Sequence, residues 1–288
     1  MEKLTSPRVI KSILNEYDLH FNKRYGQNFL IDENIVNKIA ETGEITRDDL
    51  ILEIGPGIGT LTSALCKNAG KVISVEIDKK LIPVLNETLK EFENVEIIQE
   101  DILKLDIIKL LEKEMFCNFK IVANLPYYIT TPIIMGFLEM DLDIEKMVFL
   151  IQKEVGERLC AAPGTKAYGS LSIAAQFYAD VEIEFLVPAQ VFMPKPKVDS
   201  IVVSMKKKKE PDLIVDNRQM FFKIVKAGFN NRRKTLINSL TTNTNFTKEQ
   251  VLQALNDCGI SPGIRGEALT GQEFAQLANY LNNQENLR

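Results

Sequence analysis

The chain carries a single histidine, His20, among its 288 residues. That leaves no material for a histidine-based catalytic triad or a histidine-rich metal site. Cysteine is scarce too: Cys66, Cys117, Cys160 and Cys258 stand far apart and none forms a C-x-x-C pair. Reduced structural thiols are expected from that spacing, not disulfides or a zinc centre. Long apolar runs are missing, and none approaches the ~20 residues that a bilayer span requires. The first 21 residues mix acids with bases and lack the unbroken apolar stretch of a signal peptide. The expectation is a cytoplasmic protein with no membrane partner. No repeat of fixed period occurs, and no low-complexity tract beyond Lys206 to Lys209. No heptad seam or apolar oligomer face stands out, so a monomer is expected.

What remains is ordinary globular material. Hydrophobic residues make up 45% and charged residues 26% of the chain, enough for a packed core in one large domain or two smaller ones. The net charge of −4 argues against a uniformly basic coat. Its distribution is uneven: Lys195 to Thr235 hold twelve Lys or Arg against four Asp or Glu. A basic face on an acidic body suits local contact with a polyanion, although Lys206 to Lys209 read equally well as a solvated strand end.

From Asp49 onward short apolar strands alternate with helical segments. Residues 50–54, 71–77, 95–101, 119–124 and 146–152 read as strands, with helices between them. That alternation predicts βαβ units and a doubly wound, mostly parallel sheet. After Gly169 the pattern changes. Residues 181–188 and 200–207 read as two strands joined by the proline-rich "PAQVFMPKPKVD", an antiparallel hairpin ending. Beyond "KKKKEPD" the segments are amphipathic helices. The expected division is an N-terminal extension at 1–21, an α/β domain at 22–209, and a small all-helical domain at 210–288.

The stretch "LEIGPGIGTLT" (52–62) reads as strand, glycine turn and helix. Its G-x-G-x-G is out of register with the dinucleotide G-x-G-x-x-G, because Thr60 stands where the third glycine belongs, and no Gly-Lys-Ser/Thr follows as in a P-loop. Glycines at 55, 57 and 59 let backbone N–H groups approach a ligand. In an open α/β sheet that ligand lies beyond the carboxyl ends of the strands. Glu76 ends the second strand, where its carboxylate can accept from two ribose hydroxyls; Asp101 ends the third, where it can accept from an adenine amine. Two acids with no adjacent cation would repel a pyrophosphate and tolerate a sulfonium. The pocket, with Glu53 beneath it, thus suits S-adenosylmethionine, with no metal.

The fourth strand ends in "VANLPYYITT" (122–131). An exocyclic adenine amine is a poor nucleophile because its lone pair is delocalised. The Asn124 side chain and the Leu125 carbonyl, accepting its two N–H groups, would localise that pair. Pro126 would set the turn through its locked φ, and Tyr127 would stack on the base. Such catalysis rests on positioning and dipoles, without a general base.

Taken together, "GQNFLID" (26–32), "LEIGPGIGTLT", Glu76, "EDIL" (100–103), "NLPYYITTPI" (124–133) and "VFMPKPKVDS" (191–200) resemble the ribosomal RNA adenine dimethyltransferase family. Within it, the likeness is to bacterial members that dimethylate two adjacent adenosines near the 3′ end of small-subunit (16S) rRNA. It extends through "KEVGERLCAAPGTKAYGSLS" (153–172) and "FNNRRKTLINSL" (229–240), and leaves 1–20 as an unmatched extension. The resemblance implies a Rossmann-like methyltransferase sheet, S-adenosylhomocysteine as product, and a late role in assembly of the small ribosomal subunit. It implies Asn28, Leu30, Gly55, Gly57, Glu76, Asp101 and Asn124 as cofactor contacts. Asn124 to Tyr127 become the acceptor motif, and Phe192 covers the other face or edge of the target base.

RNA would be held through its phosphates, and the target base swung out into the pocket. Lys195 and Lys197 near the pocket, Arg232, Arg233 and Lys234 on the helical domain, and Lys23 and Arg24 are the expected backbone contacts. Three rivals stand. N-x-P-Y also occurs in enzymes that methylate DNA adenines, and a relative in the family methylates large-subunit rRNA. An assembly factor with secondary methylation is the second, and a nicotinamide-dependent oxidoreductase, opposed by the glycine register, the third.

Overall fold

The computed structural model describes residues 3–19, 26–116 and 118–286. His20, Lys23, Arg24 and Cys117 lie outside them. The chain divides into two compact units, Met1–Gly156 with Asp180–Lys207, and Glu157–Ala179 with Lys208–Arg288.

The first unit is built on a sheet. In chain order its strands are β1 (Phe29–Leu30), β2 (Asp49–Ile54), β3 (Lys71–Glu76), β4 (Val95–Gln99), β5 (Asn118–Asn124), β6 (Lys146–Gln152), β7 (Ala179–Val187), β8 (Phe192–Met193) and β9 (Ser200–Lys207). Seven of them form one sheet in the order β4-β3-β2-β5-β6-β9-β7. Pairings among the first five are parallel, and β9 runs antiparallel to β6. The chain therefore starts in the middle of the sheet, at β2, and reverses direction between β2 and β5. At such a reversal the two strands' following loops part and leave a crevice.

The helices of this unit are α1 (Pro7–Glu16), α2 (Glu33–Thr42), α3 (Thr60–Cys66), α4 (Ile82–Thr88), α5 (Ile107–Leu111), α6 (Thr130–Glu139) and, at its margin, α7 (Lys153–Leu159). All six residues of β2 are buried, as expected of a strand covered on both faces. On one face Ile51, Val72, Val122, Val148 and Leu150 pack with Val36 and Ile39 of α2 and Leu61 and Leu65 of α3. The edge strand β7 is mostly exposed and carries Asp180, Glu182 and Glu184, charges that oppose pairing with another chain.

Two departures from the sequence reading matter for the site. Within the segment read as an N-terminal extension, α1 is packed: its Ile10 and Leu14 bury against Ile58, Val84 and Leu85 in one cluster. The sequence reading drew no helix there, and the face that receives it is built by residues distant along the chain. The proline-rich connection between β7 and β9 is also no simple hairpin turn. It contains β8, which pairs antiparallel with β1, Phe29 opposite Met193 and Leu30 opposite Phe192. Two-residue strands have no periodicity, so neither was legible.

The second unit is helical: α8 (Ser170–Tyr178), α9 (Arg218–Asn230), α10 (Leu236–Asn243), α11 (Lys248–Asp257) and α12 (Gly271–Asn286). It takes in residues 157–179, which the sequence reading assigned to the α/β domain. The physical reason is the core. Tyr168, Ile173 and Phe177 bury among Phe221, Ile224, Leu240 and Phe274. Phe177 stands 5.3 Å from both Phe221 and Phe222, ring centre to ring centre. The Tyr168 hydroxyl donates to the Leu269 carbonyl at 2.9 Å. Among the described residues no helix is long and apolar enough to cross a membrane.

Candidate active site

The cleft opens where β2, β3, β4 and β5 end. β2 runs out into Gly55, whose N–H donates to the Val75 carbonyl of β3 at 2.9 Å. The chain then turns through Gly55, Gly57 and Gly59 at φ of 68°, 62° and 88°. Only glycine takes this left-handed region without strain. At Gly57 a second constraint applies, because a Cβ there would sit 3.0 Å from the Phe29 ring. The glycine turn and β1 are thus packed against each other, and β1 is held in turn by β8.

Glu76 ends β3 and is 5% exposed. One of its oxygens accepts the Asp78 N–H at 2.8 Å, and the Gly57 N–H also donates to it. Burial nevertheless pushes its carboxyl up to about 7. Glu53, 1% exposed at the end of β2, accepts from the Ser74 hydroxyl at 2.8 Å. Burial, and then the charge of Glu76, raise it to about 7 as well. Among the described residues neither acid is ion-paired. Asp101 stands two residues beyond the end of β4, not at the strand terminus itself. Its carboxylate accepts the Leu103 N–H at 3.1 Å, which fixes the turn.

Asn124 ends β5. Its amide NH2 donates one N–H to the Asn28 carbonyl at 3.3 Å, which leaves Oδ1 as an acceptor and one N–H for other partners. Pro126 opens a tight turn whose carbonyl takes the Ile129 N–H at 3.2 Å and the Thr130 hydroxyl at 3.0 Å. Tyr127 is half-buried; its hydroxyl shares a hydrogen bond of 2.8 Å with Ser200 Oγ. Burial raises the phenol above its ordinary value. Tyr128 beside it is 52% exposed.

Residues 26–30 strap these two halves together. The Gln27 amide donates to Asp78 at 3.1 Å, Asn28 turns back on the Gly26 carbonyl at 2.8 Å, and its own carbonyl holds Asn124. The cleft beside this strap, its open mouth included, spans about 950 Å³, within the size range of small-molecule sites. Asn28, Leu30, Gly55, Gly57, Glu76 and Asp101 line it, and so do Asn124, Leu125, Pro126 and Tyr127. The hydroxyl of Thr60, at the start of α3 and also on the cleft wall, is buried without a partner.

Other expected site residues lie elsewhere. Phe192 does not line the cleft. It is 3% exposed and packs in the core with Leu30, Val187 and Val202; its place in β8 turns it inward. Lys195 and Lys197 are exposed on the connection that follows. Arg232 is not a free surface charge. Its guanidinium donates to the carbonyls of Lys166 and Tyr168 at 2.9 and 2.8 Å and lies 3.8 Å from Glu267. Arg233 and Lys234 are exposed. Lys207, within the four-lysine run, donates to the carbonyls of Met140 and Leu142 behind α6, so that run is not merely solvated. Among the described residues no cluster of His, Cys, Asp or Glu is arranged to hold a metal ion. Gln27 and Ser200 were missed in the sequence, since each acts through a partner distant along the chain, and Thr60 because nothing local marks its hydroxyl as unpartnered.

The family model for ribosomal RNA adenine dimethylase matches residues 4–283, so the N-terminal segment falls within the match. A curated relative from Lachnoclostridium phytofermentans, named ribosomal RNA small subunit methyltransferase A, is 48% identical over 98% of both chains. One of the same name from Clostridioides difficile is 46% identical, again over 98% of both. Among solved structures, a dimethyladenosine transferase from Plasmodium falciparum superposes with a TM-score of 0.74 at 27% identity, covering 89% of this chain and 98% of its own. The 23S rRNA methyltransferase ErmE gives 0.65 at 28% identity, over 88% and 99%.

Proposed function

The chain belongs to the ribosomal RNA adenine dimethylase family, and from that membership we propose that it methylates N6 of two adjacent adenosines near the 3′ end of small-subunit rRNA. Each base receives two methyl groups. The observation that carries this reading is that the Asn124–Tyr127 turn and the buried carboxylate of Glu76 open into one cleft. A nucleoside carrier and an acceptor base could meet there.

The residues fit S-adenosylmethionine. Glu76 is buried, without an ion-pair partner among the described residues, and raised to about 7; its carboxylate can accept further hydrogen bonds from hydroxyls such as a ribose supplies. Side chains are absent at Gly55 and Gly57, where any would narrow the approach. Asn28, Leu30 and Asp101 complete the wall. S-Adenosylmethionine supplies the methyl group on a sulfonium and leaves as the neutral thioether S-adenosylhomocysteine. The protein's own work is orientation. Asn124 Oδ1 and the Leu125 carbonyl accept the N–H groups of the target amine and draw its lone pair out of conjugation. Tyr127 offers its ring to the base. The proton departs after transfer, from an amine made acidic by its new charge, so no base with a matched pKa is needed.

The basic surfaces supply the RNA contact: Lys195 and Lys197 beside β8, and Arg233 and Lys234 on the helical unit. Arg232, next to Arg233 in the chain, is tied to the Lys166 and Tyr168 carbonyls. The names of the nearly full-length relatives favour small-subunit rRNA as the substrate, and an assembling subunit is the form of it that this reading proposes. A cytoplasmic monomer accords with this.

The test is transfer of labelled methyl from S-adenosylmethionine to unmethylated small subunits, large-subunit rRNA and duplex DNA, each digested to nucleosides. Label in dimethyladenosine from small subunits alone is expected. Label in large-subunit rRNA or DNA would keep the chemistry and overturn the substrate.

A further inference from the structure

The hydrogen bond between Tyr127 and Ser200 joins the acceptor turn to β9, two strands away on the same rim of the sheet. Ser200 is the first residue of β9 and is fully buried. Its position is set from three sides. In the antiparallel ladder it stands opposite Gln152 of β6. The preceding residue, Asp199, accepts the Lys153 N–H on its carbonyl at 3.0 Å and the Ala189 N–H on its carboxylate at 2.9 Å. A hydroxyl held this firmly is an anchor. The tyrosine it grips stands on a turn, where nothing comparable restrains the far end of the ring.

We propose that Ser200 is a positioning residue for the methyl transfer: by holding the Tyr127 hydroxyl it fixes the position of the ring on which the acceptor base rests. This rests on the reading of the Asn124–Tyr127 turn given above. A tyrosine ring has two rotatable bonds. Pinning its hydroxyl at 2.8 Å holds the first, which sets where the ring lies; the hydroxyl sits on the axis of the second, so ring tilt is restrained only through the in-plane preference of the phenolic O–H. An adenine stacked on a fixed ring keeps N6 aligned with Asn124 Oδ1. The demand is greater for the second methyl group, because a monomethylated amine has one N–H left to orient it. A loosened ring should therefore release more of the monomethylated base.

The test compares Ser200→Ala, Tyr127→Phe and the double variant in steady-state assays with small subunits, with monomethyl- and dimethyladenosine quantified separately. Both single variants should lose about tenfold in kcat, the worth of one positioning hydrogen bond, with an increased share of monomethyladenosine. KM for the subunit and affinity for S-adenosylhomocysteine should stay within about twofold, because neither contact involves the hydroxyl. The double variant should be no slower than either single one, since both remove the same bond. Ser200→Thr, which keeps the hydroxyl, should restore the product ratio. Additive losses, or a Ser200→Ala enzyme with wild-type kcat and product ratio, would overturn the inference. Failure of the wild-type protein to methylate any adenosine would instead overturn the functional reading.

Discussion

One sheet holds buried acids at both of its ends, and it treats them in opposite ways. At the amino ends of β2 and β5, Asp49 is fully buried and meets the Lys120 ammonium at 2.9 Å. It also accepts the Thr46 N–H at 2.6 Å and the Thr46 hydroxyl. Lys120, itself 4% exposed, donates further to the Glu44 carbonyl. Burial pushes the Asp49 carboxyl up, but Thr46 and Lys120 outweigh it and hold it below the ordinary value. At the carboxyl ends of β2 and β3, Glu53 and Glu76 meet no cation among the described residues, and burial leaves both near 7. The first end has its charge neutralised within the sheet. The second has hydrogen-bond donors but no neutralising charge, which is the condition of a surface prepared for a ligand.

The comparison breaks most severely at Lys120. Replacing it by Ala leaves Asp49 buried and uncompensated, and should cost about 3–5 kcal/mol of stability in chemical denaturation. One Asp49 oxygen already lacks a partner, so little remains to absorb the loss. The wild-type contribution of Asp49 has the sign of a depressed acid: it is present above the unfolded value of 3.8 and disappears as pH falls through the folded one.

At the other end the signs reverse. Glu76→Gln should leave the ligand-free protein as stable at pH 8 as the wild type, or more so, while S-adenosylhomocysteine binds about 10–100-fold more weakly by calorimetry, the range for a hydrogen bond to a charged group. Raised acids contribute stability that is full below 4.5 and is lost as pH climbs through about 7. The ligand-free protein should thus soften between roughly pH 5 and 8. Affinity for S-adenosylhomocysteine should rise over the same interval and level off above it, because the ionised Glu76 is the better acceptor. In Glu76→Gln that rise should flatten.

The smallest effect sharpens a parallel contrast within the helical unit. Arg232→Ala should lower the melting temperature by a few degrees, since one guanidinium serves two carbonyls. Arg233→Ala with Lys234→Ala should leave melting unchanged, weaken rRNA binding severalfold, and reduce its salt dependence by up to about one unit of slope per lost phosphate contact.

Much of this was legible beforehand. Strand limits followed from apolar runs: the segment expected at 146–152 is β6 to the residue. Gly55, Glu76, Asp101 and Asn124 could be placed because successive parallel strands must end on one rim of the sheet. Residues 157–179, in contrast, were assigned to the wrong unit, because "SLSIAAQFY" is apolar enough to suit either core. Phe192, within the proline-rich turn, was expected on the base from the family resemblance, and sequence offers no sign that β8 would pair with β1 and bury it.

The sequence by itself determined the order of elements, the glycine turn that admits a ligand, and the chemical kinds of group on the rim. Each of these is a local property, set by periodicity, by φ preference and by side-chain identity. Only the tertiary structure decided which polar groups find partners. Lys120 reaches Asp49 across 71 residues, Ser200 reaches Tyr127 across 73, and Asn124 reaches Asn28 across 96. Whether a buried group becomes a scaffold or a site depends on those distant partners, because burial costs the same at both ends of the sheet and only pairing offsets it.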